Sequence, residues 1–124
     1  MEEMAGTCNW CGAELKVEGI AEGDVKRVTC RCKGCNRRIL MYFDEEWNYL
    51  TEFPEDLVVK NEDLKKMIEE KEKLLKEILT SSQIKALRDR LENREASPSN
   101  LSRARKRLKI IEELTGVHFE FLMF

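Results

Sequence analysis

The sequence predicts an α+β fold. A small, three-stranded N-terminal module clamped by cysteines is followed by a helical hairpin or three-helix, coiled-coil-like C-terminal half that ends in a short strand. Three observations carry this reading. Four of the five cysteines form two C-x-x-C pairs, Cys8/Cys11 and Cys32/Cys35, with twenty residues between them. The residues between and just after the pairs alternate apolar and polar, the period of a half-buried strand. From residue 61 onward apolar residues recur at spacings of three and four, the period of a helix with one buried face. The expected boundaries are residues 1–45 for the cysteine module, 46–60 for an acidic and aromatic linker, and 61–124 for the helical domain with its terminal strand.

Each cysteine pair can supply two thiolates from one tight turn, and four thiolates at tetrahedral corners suit a structural zinc ion. The turn chemistry agrees with the spacing. The residue after the second cysteine of such a knuckle needs a left-handed backbone, and Gly12 and Asn36 stand there, the residue types that tolerate it best. Cys8, Cys11, Cys32 and Cys35 are therefore the expected ligands of one zinc ion. Cys30, the odd cysteine, is two residues before Cys32 and shares its face in a strand. It is expected to be a small buried apolar residue, the alternative being that it replaces Cys32 as a ligand. His118, the only histidine, is expected to pack or be solvated.

Residues 1–7 read as a frayed, acidic start. Residues 13–20 form the first expected strand, with Leu15 and Val17 on one face, and Glu22-Gly23-Asp24 the turn. Residues 25–32 and 37–43 are the second and third strands. A module this small buries too little surface to stand alone, so the metal is expected to carry much of its folding free energy. Trp47, Leu50 and Phe53 recur at helical spacing, but Pro54 stops a helix there. They are expected to pack the two parts together, the alternative being a partner surface.

Asn61 is the expected N-cap of an amphipathic helix of about five turns whose stripe comprises Leu64, Met67, Ile68, Leu74, Leu75 and Ile78. Residues 80–83 break it and start a second helix bearing Ile84, Leu87 and Leu91. Residues 93–100 turn the chain again, and Pro98 suits the first position of a third helix. Leu101, Ala104, Leu108, Ile111 and Thr115 form its expected stripe, Ile110 and Leu114 are expected to widen it, and Thr115-Gly116 stops it. The apolar tail, residues 117–124, reads as a strand that must pair with the N-terminal module's edge, with residues 57–59, or with a second copy of the chain.

Composition bounds the function. Apolar residues make up 42% and charged residues 37% of the chain, which suits long exposed helices beside a modest core. No apolar run can span a membrane and no signal-peptide pattern opens the chain, and cysteines grouped in C-x-x-C pairs suit a reducing compartment, so a cytoplasmic protein is expected. Four thiolates leave zinc no open position for water, no nucleophile–base pair or phosphate loop is visible, and the thioredoxin-like context for redox dithiols is missing, so no enzyme is expected.

The net charge of −2 conceals an uneven distribution: residues 83–109 hold nine basic and three acidic residues. Arg88, Arg94, Arg103, Arg105, Lys106, Arg107 and Lys109 on the helices, with Arg37 and Arg38 after the second knuckle, are the expected contacts to nucleic acid or to a nucleic-acid-handling complex. Trp10 and Tyr42 are candidates to stack on bases. Ion pairing to acids of the first helix is the alternative use of these charges. A pI near 5.6 argues against a dedicated duplex binder. The competing reading is a protein-interaction module, such as a viral or phage inhibitor of a host complex, with homo-oligomerisation through the helices or terminal strand.

Residues 7–43 resemble zinc-ribbon proteins in Cys8, Cys11, Cys32, Cys35 and the basic residues after the second pair. Within that class the stretch from Val28 to Ile39 is similar to the Com-like regulators of Mu-type phages, a resemblance that implies messenger-RNA binding. It covers about a third of the chain, and the helical half departs from that family, so the activity does not carry over. A ribbon joined to a helical hairpin also looks like small factors that bind RNA polymerase. Those carry acids at the hairpin tip, where Glu95-Ala96-Ser97-Pro98-Ser99 offers one.

Overall fold

The structure is a computed structural model that describes residues 4–23 and 25–123. The chain divides into two compact units, residues 1–57 and 58–124. The first unit contains five strands: β1 (Met4–Thr7), β2 (Glu14–Glu22), β3 (Lys26–Cys32), β4 (Arg38–Phe43) and β5 (Tyr49–Pro54). They form one antiparallel sheet in the order β1-β2-β3-β4-β5. This corrects the expected three-stranded ribbon. The three expected strands are present as β2, β3 and β4, and one more lies on each side of them.

Both additions have a physical origin. The first knuckle reverses the chain: the Cys8 N–H donates to the Ala13 carbonyl at 2.8 Å. Whatever precedes Cys8 is thereby delivered alongside whatever follows Ala13, and Thr7 pairs with Glu14. The expected frayed start thus contains an edge strand from residue 4; residues 1–3 lie outside the described part, as does Asp24 of the expected turn. At the other edge, the spacing of Trp47, Leu50 and Phe53 suggests a helix, but the turn before them decides otherwise. The Asp44 carboxylate accepts N–H bonds from Glu46 (2.9 Å) and Asn48 (2.8 Å), and the Asn48 side-chain amide donates to it at 3.1 Å. Those bonds hold the Asp44 carboxyl below the usual carboxylate range and close a hairpin. β5 then runs back along β4, with Leu40 opposite Phe53. A short 3₁₀ turn, Glu55–Leu57, completes the unit.

Alternate positions of the central strands fill one core. Leu15 pairs with Cys32, Cys30 with Ile39, and Val28 with Met41. All six side chains are buried in one cluster with Cys8. On the exposed side Glu18 joins two strands, accepting from Arg31 Nε at 2.8 Å and Arg38 Nε at 3.2 Å. The Arg31 bond, with that from Arg38, holds the Glu18 carboxyl below its ordinary range.

The second unit contains β6 (Val58–Val59), α1 (Asn61–Glu70), α2 (Glu72–Leu75), α3 (Ser81–Leu91), α4 (Pro98–Thr115) and β7 (His118–Phe119), then a 3₁₀ turn over Glu120–Met123. Leu64, Ile68, Leu75, Leu79, Ile84, Leu87, Ala104 and Leu108 are buried together with Phe119 and Phe121 of the tail. The expected five-turn first helix is broken at Lys71, whose φ of −127° leaves the helical region. Leu74 and Ile78 are consequently exposed while Leu75 and Leu79 enter the core. Its N-cap is Lys60, not Asn61, and the Asn61 N–H meets the buried Glu120 carboxylate at 3.5 Å. Four helices around one core replace the expected hairpin or three-helix, coiled-coil-like arrangement.

The helix signals near α3 and α4 are seen as expected. Thr80 and Gln83 form a reciprocal capping box at the start of α3, Pro98 occupies the first turn of α4, and Gly116 ends α4 with φ 77°. The tail does pair with residues 58–59, in parallel, but for two residues only. The Glu112 carboxylate on α4 accepts the Phe119 N–H at 2.7 Å and fixes where the tail begins.

Leu108, 1% exposed on α4, supports the helical core more than any cap does. Leu108→Ala is expected to destabilise this unit by about 2–5 kcal/mol and Thr80→Ala by about 1 kcal/mol. Denaturant midpoints followed by helical circular dichroism measure both; equal losses would show that the core assignment is mistaken.

Candidate metal centre

The two C-x-x-C turns adopt one conformation twice. In the first, the Gly12 N–H donates to the Cys8 carbonyl at 2.8 Å and the Cys8 N–H to Ala13. In the second, the Asn36 N–H donates to the Cys32 carbonyl at 3.1 Å and the Cys32 N–H to the Arg37 carbonyl at 2.9 Å. Gly12 and Asn36 are left-handed, with φ of 75° and 61°. The knuckles are tied to each other where the Lys33 N–H donates to the Glu14 carbonyl at 3.0 Å. The β2–β3 pairing, which places Leu15 opposite Cys32, sets them side by side.

This arrangement brings four sulfurs together. The Sγ atoms of Cys8, Cys11, Cys32 and Cys35 all lie within 4.8 Å of one another. The cross-knuckle distances are 3.8 Å for Cys8–Cys35 and 3.2 Å for Cys11–Cys32. A tetrahedral ion with metal–sulfur bonds of ~2.3 Å needs sulfurs about 3.8 Å apart. The observed set brackets that value, so small side-chain rotations suffice to hold a metal ion. Cys8 and Cys32 are buried while Cys11 and Cys35 face solvent, which gives an ion a way in.

The surroundings favour thiolate. Backbone N–H groups point at sulfur: Trp10 at Cys8, and Gly34 and Cys35 at Cys32, each at 3.4 Å. The Cys35 N–H, assisted by the Cys11 thiol and the Gly34 N–H, brings the Cys32 thiol down to about 6. Cys11 moves the other way. The backbone hydrogen bond with Ala13 favours its thiolate, but bonding to Cys32 and loss of solvent outweigh this and bring it up to about 11. Within this adjacent pair the surroundings favour the thiolate on Cys32 and the thiol on Cys11.

Gly34 is required for a reason that the spacing does not reveal. A Cβ built there would lie 2.8 Å from the Ala13 Cβ and 3.1 Å from the Cys11 Sγ. Only glycine lets the second knuckle close on the first. Cys30 is fully buried and points its thiol at the Met41 sulfur, 3.7 Å away. Burial raises it to about 11, and it lies outside the sulfur cluster. His118 is in β7 of the second unit.

The cations expected to meet a partner fall into two groups. Several are engaged within their own unit. Arg38 bridges Glu18 and Glu55, Arg94 bridges Asp89 and Glu92, Arg88 lies 3.9 Å from Glu72, and Lys109 lies 3.2 Å from Glu112. Arg105 lies over the Phe121 ring at 4.7 Å and reaches the Phe121 carbonyl at 3.5 Å, which makes it a clamp on the tail. Arg37 covers the exposed Trp10 ring at 5.0 Å, so this indole is already stacked on a cation. Tyr42 is buried and unavailable for base stacking. Arg103, Lys106 and Arg107 are exposed on α4 and have no acidic partner among the described residues. No described helix is long and apolar enough to cross a membrane.

Comparison with family models, curated proteins and solved structures finds no significant match to this chain.

The four-sulfur geometry predicts one divalent metal ion per chain, seen by native mass spectrometry and lost in Cys8→Ser together with the sheet's near-ultraviolet signal. Gly34→Ala should bind metal more weakly although it keeps all four ligands. Affinity should fall as pH falls, because protons compete for the same sulfurs. At neutral pH binding should release protons, measured by calorimetry in buffers of different ionisation enthalpy. A folded Cys8→Ser sheet with unchanged metal content would refute the site.

Proposed function

We propose that this is a non-enzymatic protein in which one structural zinc ion, held by Cys8, Cys11, Cys32 and Cys35, staples the sheet unit, and α4 binds the phosphate backbone of a nucleic acid. Zinc is the metal best suited to four thiolates at tetrahedral spacing in a reducing compartment. A closed four-thiolate shell offers no position for water or substrate, so the ion's role in this reading is structural.

The observation that carries the nucleic-acid reading is the arrangement of Arg103, Lys106 and Arg107. They stand at positions i, i+3 and i+4 of α4 and therefore share one face. Lys109 on the same helix is paired with Glu112; these three have no acidic partner among the described residues. Three unpaired cations on a rigid rod match the spacing and charge of successive phosphates, and arginine can fork onto phosphate oxygens. Phosphate contacts of this kind supply affinity and position rather than sequence readout.

A second reading has its own observation. The same face continues into Ile110 and Leu114, 51% and 81% exposed. A helix face that is basic at one end and apolar at the other also suits a groove on a nucleic-acid-handling protein.

Binding to single-stranded and duplex oligonucleotides should weaken steeply as salt rises. Arg103→Gln with Arg107→Gln should lower the slope of log affinity against log salt by about two, roughly one for each phosphate contact removed. Ile110→Ser with Leu114→Ser should leave that binding unchanged. Absence of oligonucleotide binding at low salt, or loss through the apolar pair alone, would move the assignment to the protein-groove reading.

A further inference from the structure

The turn between β4 and β5 carries a second cluster that the sulfur site and α4 leave unused. Phe43, Trp47 and Tyr49 meet there: the Phe43 ring centroid is 5.7 Å from that of Trp47 and 6.0 Å from that of Tyr49, the latter edge to face. Trp47 is 44% and Tyr49 52% exposed. One cation already lies on this cluster, the Lys26 ammonium, 4.2 Å from the centroid of the Trp47 ring.

Apart from Lys26 on the Trp47 ring and Arg38 paired with Glu55, the charge along the turn and β5 is acidic. Residues 44–56 hold six carboxylates and no lysine or arginine. Asp44 is turned inward to its own turn, and Glu52 accepts the Tyr49 hydroxyl at 2.8 Å. Glu45 and Glu46, on either side of the turn's apex, are exposed and have no cationic partner among the described residues. Aromatic faces attract cations through the ring quadrupole, and neighbouring carboxylates add to that attraction. The same carboxylates repel phosphate, so this cluster suits a basic peptide and disfavours a nucleic-acid strand.

We propose that the β4–β5 turn is a docking surface for a basic segment of a partner protein, whose arginine or lysine side chains stack on Trp47 and Tyr49 and pair with Glu45 and Glu46. Lys26 then acts as an internal competitor. It occupies the ring in the free protein and yields it to the incoming cation. The Lys26 ammonium is also only 3.8 Å from Glu22, so it has a carboxylate to fall back on when displaced. This surface lies on the sheet unit and does not depend on what α4 binds.

The test uses the metal-loaded full chain and a nine-residue peptide of alternating arginine and glycine, titrated by calorimetry. Trp47 has a φ of 65°, so Trp47→Gly removes the ring at a position where glycine is at ease. Trp47→Gly should bind about tenfold more weakly, the scale of one cation–π contact, and Glu45→Lys with Glu46→Lys should abolish binding. Lys26→Met should bind more tightly than the unaltered chain, an effect that general charge attraction to an acidic surface also produces but that must vanish when Trp47→Gly is added. Equal binding by Trp47→Gly and the unaltered chain, or a Lys26→Met gain that persists without the ring, overturns the proposal. So does displacement of the peptide by an oligothymidylate strand in the Arg103→Gln, Arg107→Gln background.

Discussion

The sheet unit is organised around the convergence of four sulfurs, a cluster that could hold a metal ion. Two knuckles with matching hydrogen bonds bring the sulfurs to within 4.8 Å, and one of them is already disposed to carry charge. Thiolates at this distance would repel, and a metal held among them would turn that repulsion into a crosslink between the two knuckles. Because the first knuckle joins β1 to β2 and the second joins β3 to β4, the cluster sits where the turns of both pairs meet. The unit's apolar cluster is small and includes two of the ligands, Cys8 and Cys32. Core and metal site are thus one object, and neither is complete without the other.

The second unit is organised by ordinary apolar burial. Its core has no cysteine in it, α3 begins on a capping box and α4 ends on Gly116, and its tail is held by Glu112 and Arg105. The two halves use different physics for the same purpose. A chain of 124 residues split into two units leaves each with little interior, and small domains ordinarily need a staple or unusually good packing. The N-terminal unit has the sulfur cluster; the C-terminal unit has ten buried apolar side chains in one cluster.

Local chemistry was legible in the sequence, while pairing between distant segments was not. The left-handed residues Gly12 and Asn36, the Thr80 start, the Ser97-Pro98 restart and the Gly116 stop are each dictated within four or five residues, and each is where the residue types place it. The cysteine cluster was readable because ligand spacing is itself a local signal. The outer strands were missed because they exist only through partners elsewhere: β1 through β2, and β5 through a turn whose Asp44 carboxylate outweighs a helical spacing of aromatics. The break at Lys71 was missed because a charged residue in an apolar stripe looks like an interruption of the face, not of the helix. Which arginines remain unpaired on α4 follows from where the carboxylates fall in three dimensions, which composition cannot give.

Cys30 shows what burial does for sulfur chemistry. It lies two residues from a ligand, yet its thiol is turned to Met41 and kept protonated well above neutral pH. Thiolate, not thiol, carries out exchange and oxidation. Cys30 is thereby set apart from the four sulfurs of the cluster, which as a set permit only three disulfide pairings. Two contacts among them, Cys8–Cys35 at 3.8 Å and Cys11–Cys32 at 3.2 Å, both cross from one knuckle to the other. A disulfide across either contact would join the same two turns that bring the sulfurs together. Buried against Met41, the fifth sulfur takes no part in either contact.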